Sequence, residues 1–229
     1  SLQAAECIAV PAGTCLLEIG RDPESYHGHF HDCAPEQLGT DWVLGWGHYI
    51  HDILESGRPP VDILDEALPD RKALMMEFTS HSHWANSAAL EALGINADSA
   101  DPAGGIIMKD PQTGQPNGIL IDNAGIIAES VSQPDTPELR QLMYEGLLDN
   151  LSELARHGIT SVVDARSYWK RGHHEIWQRA EAEGELTARV NLALWAYPEI
   201  GDGQMEEIKA LYSNDPERLL RINQVKVYS

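Results

Sequence analysis

A lysine near the end of the chain has the setting that points most directly to chemistry. Lys226 lies inside an apolar strand predicted for residues 222–227. Burying a lysine is costly unless its charge is removed or paired. Carboxylation would turn it into an anionic ligand suited to bridging two metal cations. The alternative is a lysine that faces solvent or forms a salt bridge. We therefore treat Lys226 as a candidate metal ligand.

An aspartate at the end of another predicted strand is the second candidate. Asp164 directly follows the continuous apolar run of residues 159–163. If that strand belongs to a barrel, its C-terminal end faces the active site. Asp164 is then a candidate catalytic residue, which Arg166 could pair with. The alternative is that Asp164 caps the helix that follows.

Two polar residues flank the start of a predicted helix in the first half of the chain. His81 lies before this helix and Asn86 at its first position. Both types of side chain could contact a substrate, and we expect His81 to be a pocket residue. For Asn86 the alternative is equally open, namely that it only caps the helix by accepting hydrogen bonds from backbone N–H groups.

The elements that would position these residues differ between the two halves of the chain. From Thr136 onward helices and strands alternate with short connections, which predicts parallel βα units of a barrel or a doubly wound sheet. The first half mixes short strands and helices and predicts an α+β piece. The predicted strands cover 8–10, 42–47, 74–78, 159–163, 188–194 and 222–227, the hairpin pairs 105–109 with 117–121, and the helices cover 86–93, 136–156, 175–183 and 204–212.

Composition excludes several classes of partner. The 229 residues include 36 acidic and 16 basic side chains, for a formal charge of -20. Such a chain repels phosphate backbones and anionic lipid, so we expect neither nucleic acid nor membrane as a partner. The three cysteines have no CxxC spacing and predict neither a disulfide framework nor a zinc knuckle. No secretory signal pattern opens the chain, so a soluble cytoplasmic protein is expected.

Four segments, in order, resemble the amidohydrolase superfamily, in particular the branch of N-substituted formamide deformylases and related metal-dependent hydrolases. The run HSHWANSAAL, followed by GI, resembles the family segment D-G-H-x-x-W/L-x-N-S-x-A-L…G-I. The other three are the glycine-rich hairpin, the run LARHGITSVVDA and the terminal VKVY. These segments cover residues 81–95, 104–120, 154–165 and 225–228.

The resemblance implies a fold and an activity. The fold is α/β, a (β/α)8 TIM barrel with an inserted α+β subdomain. Residues 1–135 would be the insertion and residues 136–229 the βα units of an incomplete barrel. The activity is hydrolysis of a C–N bond in a small amide or formamide by a metal-activated water, with zinc as the expected divalent metal. The implied substrate-binding residues are His81, Trp84, Asn86, Trp46 and His48, beside Asp164 as catalytic residue and Lys226 as metal ligand.

The chain also departs from the family pattern. Thr79-Ser80 replaces Asp-Gly. The resemblance also implies a metal-binding H-x-H motif on the first barrel strand, but neither H-x-H spacing within residues 27–31 follows an apolar strand. His81 and His83 share that spacing but lie in the insertion motif. We therefore expect an internal fragment that is inactive and binds little metal by itself. The alternative is a non-catalytic interaction or regulatory domain that keeps the fold. Three or four barrel strands cannot close, so open edges predict a homo-oligomer.

Overall fold

The computed structural model describes residues 15–34, 41–133 and 136–227. The chain forms two compact units, with the boundary after Gln133. The described residues up to 133 are called the N-terminal unit here, and residues 136–227 the C-terminal unit. The strand predicted for residues 8–10 lies outside the described residues, as does Cys7.

A mixed sheet forms the centre of the N-terminal unit. Within the described residues it has six strands in the order β1-β2-β3-β4-β6-β5. Strands β1, β2 and β3 are parallel to one another, and the remaining neighbours are antiparallel. The strands are β1 (Cys15–Leu16), β2 (Trp42–His48), β3 (Lys72–Glu77), β4 (Ser82–Ala85), β5 (Gly105–Lys109) and β6 (Pro116–Asp122).

Helices cover both faces of this sheet because both faces of its strands are apolar. Val43 and Met75 belong to one buried cluster, and their neighbours Trp42 and Leu74 belong to the other. This is the period of two that places successive strand residues on opposite faces. The helices are α1 (Tyr26–Cys33), α2 (Ile50–Glu55), α3 (Pro60–Ala67), α4 (Ser87–Ala92) and α5 (Asn123–Ser132).

A disulfide bond joins β1 to the end of α1, and the prediction of no disulfide was wrong. Cys15 and Cys33 are bonded, and their Cα atoms lie 5.4 Å apart, within the normal range for such a bond. The two cysteines are 18 residues apart in the sequence. Their spacing matches no short motif, so only the packing of the helix beside the strand brings them together.

The C-terminal unit consists of parallel strands that alternate with helices, as the sequence predicted. Its sheet has the order β7-β8-β9 and is open within the described residues. This shows the α/β class but not a closed barrel. The strands are β7 (Ser161–Ser167), β8 (Arg189–Trp195) and β9 (Leu220–Lys226), and the helices are α6 (Pro137–Arg156), α7 (His173–Ala182) and α8 (Met205–Leu211).

The link between α6 and β7 shows why the strand begins later than the predicted residue 159. Gly158 adopts a φ of 70°, and the N–H of Ile159 donates to the carbonyl of Leu154 (2.9 Å). This is the hydrogen-bond pattern of a Schellman motif, in which a left-handed glycine ends a helix. Ile159 therefore completes the helix end, and β7 starts two residues further on.

Candidate functional site

Strands β2 and β3 of the N-terminal unit end side by side. They are parallel, and His48 at the end of β2 is in register with Glu77 at the end of β3. The next strand, β4, runs antiparallel to β3. In open α/β sheets, ligands bind in the crevice outside the carboxyl ends of the parallel strands. We call the residues that follow these two strands, 49–51 and 78–81, together with Asp122, the C-terminal edge.

The carboxylate of Glu77 ties the loops of the C-terminal edge together. It is buried and accepts hydrogen bonds from the backbone N–H of Ile50 (3.1 Å), the hydroxyl of Thr79 (2.6 Å) and the hydroxyl of Ser82 (3.1 Å). A carboxylate that accepts this many bonds is satisfied although it is buried. Glu77 therefore fixes the position of both loops relative to the sheet.

A histidine–aspartate pair lies at this edge. His81 Nδ1 is 2.9 Å from Asp122 Oδ1, and the backbone N–H of Asp122 donates to the carbonyl of His81 (2.8 Å). The side chains are 53% and 32% exposed, so both are accessible from solvent. Residues 41 apart in the sequence are thus bound to each other twice, once through the backbone and once through their side chains.

The backbone around this pair is strained. Ser80 has a φ of 63° and Asp122 a φ of 49°, and they are the non-glycine residues with positive φ within the described part of the chain. Such conformations cost on the order of 1–3 kcal/mol each and cluster at functional sites. The family segment has glycine at the position of Ser80, and the positive φ gives the physical reason.

Two aromatic side chains line the same edge. The ring centroids of Tyr49 and Phe78 are 5.5 Å apart, and those of Tyr49 and His51 are 4.9 Å apart. Phe78 is 37% exposed, which is unusual for a phenylalanine directly after a buried strand. Sequence reasoning missed Tyr49, Phe78 and Asp122. For the first two, the available signal was their position immediately after strand ends.

Beneath the edge lies a buried cluster of polar side chains. His48 is fully buried, and this burial, together with the nearby His83, lowers its pKa to about 3. His83 Nε2 lies 3.2 Å from Glu129 Oε1, and both side chains are buried. At Gly125 of α5 a Cβ atom would lie 2.0 Å from His83 Nδ1, so His83 needs a glycine there. His48 is thus placed in the core and not on the accessible surface.

The remaining substrate-binding candidates differ in what they contact. Trp84 is fully buried, and its indole N–H donates to the carbonyl of Pro60 (2.7 Å). Trp46 is partly exposed on β2, two residues before His48. Of the predicted residues, the structure places His81 at the accessible edge and Trp84 in the core.

Asn86 makes a complete set of hydrogen bonds with its own unit. Its Oδ1 accepts from the backbone N–H groups of Ala73 and Ala89, both at 3.0 Å. Its Nδ2 donates to the carbonyls of Leu68 (3.0 Å) and Arg71 (2.7 Å). The amide therefore caps α4, as the alternative interpretation held, and also joins that helix to the start of β3.

Asp164 of the C-terminal unit is turned toward helix α7. Its carboxylate accepts from the indole N–H of Trp177 (3.1 Å) and the backbone N–H of Arg166 (3.1 Å). Burial raises the pKa of this carboxyl group. The guanidinium of Arg166 lies over the ring of Tyr168, with centroid distance 5.3 Å. These contacts anchor the strand to the helix.

The sequence places His173 and His174 at a helix end or in a loop and predicts that both are solvated. This prediction was wrong, because both side chains are buried at the start of α7. Here Nδ1 of His173 accepts from the backbone N–H of Tyr168 (3.3 Å). The two histidines thus belong to the packing of the C-terminal unit.

Lys226 is the last residue of β9, in register with Trp195 of β8. It is partly exposed, and its carbonyl accepts from the N–H of Ala196 (2.9 Å). Within the described ranges, no three or more His, Cys, Asp or Glu side chains are grouped so that they could hold a metal ion. Among the described residues Lys226 thus has no such group beside it.

Comparison with known proteins identifies the family of the chain. Residues 16–229 match the model of an amidohydrolase family. The chain belongs to the amidohydrolase family. It is 32% identical over 146 residues to the N-substituted formamide deformylase of Arthrobacter pascens, covering 63% of this chain and 26% of that protein. It is 30% identical over 165 residues to the protein LONG AFTER FAR-RED 3 of Arabidopsis thaliana, covering 70% and 27%.

A solved structure agrees in fold. An uncharacterized metal-dependent hydrolase from Pyrococcus furiosus superimposes with a TM-score of 0.56 at 18% identity, covering 96% of this chain and 41% of that one. The chain therefore spans about a quarter to two fifths of the proteins that it matches. Among the described residues, no helix is both long enough and apolar enough to cross a lipid bilayer.

Proposed function

We propose that this amidohydrolase chain belongs to a hydrolase that cleaves the C–N bond of a small amide or formamide, and that its C-terminal edge forms part of the substrate pocket. The observation that carries this proposal is the accessible His81–Asp122 pair, with positive φ at Ser80 and at Asp122 itself, on the edge that also carries the exposed Phe78. Family membership and the name of the Arthrobacter relative support the C–N bond as the target.

The side chains at the edge suit a substrate with a polar and an apolar part. Phe78 and Tyr49 provide an apolar surface of the kind that ligand pockets use for most of their contact area. His81 provides a polar group whose position is fixed. An N-substituted amide has both features, since its N-substituent can pack on the rings while its amide group reaches the imidazole.

The described residues supply only part of the proposed catalytic centre. The divalent metal implied by the family, with zinc as the expected ion, has no matching ligand group among them. We keep Lys226 as a proposed ligand because it ends a parallel strand, and Asp164 as a proposed catalytic residue only in a state where its carboxylate leaves Trp177. We also propose that the C-terminal unit is part of a (β/α)8 barrel, that the protein is cytoplasmic and that open strand edges lead to a homo-oligomer.

The alternative is a non-catalytic interaction or regulatory domain that keeps the amidohydrolase fold. The two proposals differ in what the full-length protein does with an amide once it carries its metal.

The deciding experiment is to incubate the full-length, metal-loaded protein with N-hexylformamide and to measure the hexylamine that hydrolysis releases. We expect turnover, and we expect Phe78→Ala to raise KM about tenfold because it removes apolar contact area. Leu219→Ala, which truncates an exposed apolar residue of the C-terminal unit, is the matched control and should leave KM unchanged. A protein with stoichiometric metal that releases no amine from any amide would support the non-catalytic alternative.

A further inference from the structure

We infer that Asp122 is a positioning residue that holds His81 in one tautomer, and that the pair selects substrates carrying an amide N–H over the corresponding esters. This inference rests on the proposed function, since it names the substrate class that the C-terminal edge would recognise. Asp122 was not among the residues that the sequence singled out.

The carboxylate of Asp122 contacts His81 and does not cap its own helix. Asp122 stands at the N-cap of α5, where an aspartate ordinarily accepts a hydrogen bond from the backbone of the first helical turn. Here its side chain makes no capping bond and lies 2.9 Å from Nδ1 of His81 instead. A stabilising local interaction is thus replaced by a contact with a residue 41 positions away.

The backbone is strained on both sides of the His81–Asp122 contact. Asp122 has a φ of 49°, a backbone conformation that residues with a Cβ atom seldom adopt. Ser80, next to His81, has a φ of 63°. Hydrogen bonds at the C-terminal edge keep both residues in these conformations. One of them runs from the N–H of Asp122 to the carbonyl of His81 (2.8 Å). Strain of this kind persists only where the surrounding structure fixes it, and it is typical of functional sites.

The chemistry follows from the hydrogen bond. A carboxylate is an acceptor only, so the His81 Nδ1 that it contacts carries the proton. In the neutral ring, Nε2 is then the acceptor, because the bond made by one ring nitrogen sets the state of the other. An acceptor at this position matches the N–H of a secondary amide. An ester of the same shape has no N–H, and a site built to bind such a donor discriminates against an analogue that lacks it.

The chain contains a matched control. His157 and Glu153 form a pair of the same composition, with 2.8 Å between His157 Nε2 and Glu153 Oε1, on the exposed surface of helix α6. Glu153 lies in the last turn of α6 and His157 directly follows the helix; neither has a positive φ, and the pair uses the other ring nitrogen. Glu153→Gln therefore removes a carboxylate from a histidine without touching the C-terminal edge.

The first test is 15N NMR of the imidazoles in the labelled 229-residue chain at a pH above the histidine titration, with His81→Gln identifying the signal. We expect His81 to carry its proton on Nδ1, and Asp122→Asn to shift it toward the tautomer mixture of an exposed histidine. Asparagine tolerates positive φ, so this variant should fold. A wild-type His81 that carries its proton on Nε2, or that is averaged between tautomers, would overturn the inference.

The second test compares N-hexylformamide with hexyl formate in the full-length protein. Asp122→Asn should lower kcat/KM for the formamide about tenfold, the value of one hydrogen bond to a fixed acceptor, and leave the ester nearly unchanged. Glu153→Gln should change neither. An equal loss on both substrates would mean that Asp122 is merely structural, and would overturn the selectivity. Absence of any hydrolysis by the wild type would end the proposed function and the selectivity, while the NMR result would still decide whether Asp122 positions His81.

Discussion

Replacing Asn86 by alanine should destabilise the N-terminal unit by about 3–5 kcal/mol. The loss of the cap on α4 costs about 1 kcal/mol. The N–H of Ala73 and the carbonyl of Leu68, both buried, lose their partner, and each orphaned group costs about 1–2 kcal/mol. The sum is a large part of the roughly 5–15 kcal/mol that holds a domain folded.

Asn86→Asp separates the two halves of this account. Aspartate keeps both bonds that Oδ1 accepts from Ala73 and Ala89, but it places a second oxygen against the carbonyls of Leu68 and Arg71. Those carbonyls disfavour the ionised form, so the pKa of the new carboxyl should rise above its unfolded value. The stability difference between the variant and the wild type should therefore shift in favour of the variant as the pH falls from that raised pKa toward the unfolded value.

The assay is urea unfolding, monitored by hydrogen–deuterium exchange of the peptides that cover residues 68–90. These peptides report on the N-terminal unit alone. Asn96→Ala is the matched control. Asn96 is exposed and accepts one turn hydrogen bond from Asp98 (2.9 Å), so its replacement should cost no more than about 0.5 kcal/mol. If Asn86→Ala costs less than about 1 kcal/mol, the four-bond account is wrong, and Asn86 would be better explained as a substrate contact.

Three further predictions concern other buried groups. Because the folded pKa of His48 is about 3 and an unfolded histidine titrates near 6.5, the unfolded state binds more protons between these values. As the pH drops through that window, His48 should lower the free energy of unfolding by about 1.4 kcal/mol per pH unit. In His48→Gln the free energy of unfolding should depend less steeply on pH, by the same amount. The Cys15–Cys33 bond closes a loop of 18 residues and should contribute about 3 kcal/mol. Thiol titration of the denatured protein should find more thiols after reduction than before, and three thiols before reduction would contradict the bond. Asp164→Asn should change stability at pH 7 by less than about 1 kcal/mol, because it removes a buried charge and keeps the acceptor for Trp177, while its NH2 group replaces the oxygen that accepts from the N–H of Arg166. A loss above about 1 kcal/mol in urea unfolding would show that the ionised carboxylate is needed.

The sequence predicted the C-terminal unit better than the N-terminal unit. Helix α6 carries its own start signal: Thr136 accepts a hydrogen bond from the N–H of Leu139 (3.2 Å), and Pro137 occupies the first helical position. Apolar strands separated by helices then specify parallel pairing, because only that arrangement buries both faces of each strand. These signals lie within a few residues of the elements that they define.

The N-terminal unit shows what local signals miss. Strand β4 is only four residues long and includes Ser82 and His83, so neither length nor composition marks it as a strand. It forms because β3 and β6 lie on either side and supply hydrogen bonds. The hairpin of β5 and β6 was predictable because Asp110 organises its own turn, accepting from the N–H groups of Gln112 (3.0 Å) and Thr113 (2.7 Å).

The sequence by itself determined the family, the α/β class and the position of His81 in a recognisable motif. Only the tertiary structure decided which candidates are accessible. It buried His48 and Trp84, used every hydrogen-bonding group of Asn86 and placed Asp122 against His81. The physical reason is distance along the chain: caps and turns are decided by neighbouring residues, whereas burial and pairing depend on which strands become neighbours in the sheet.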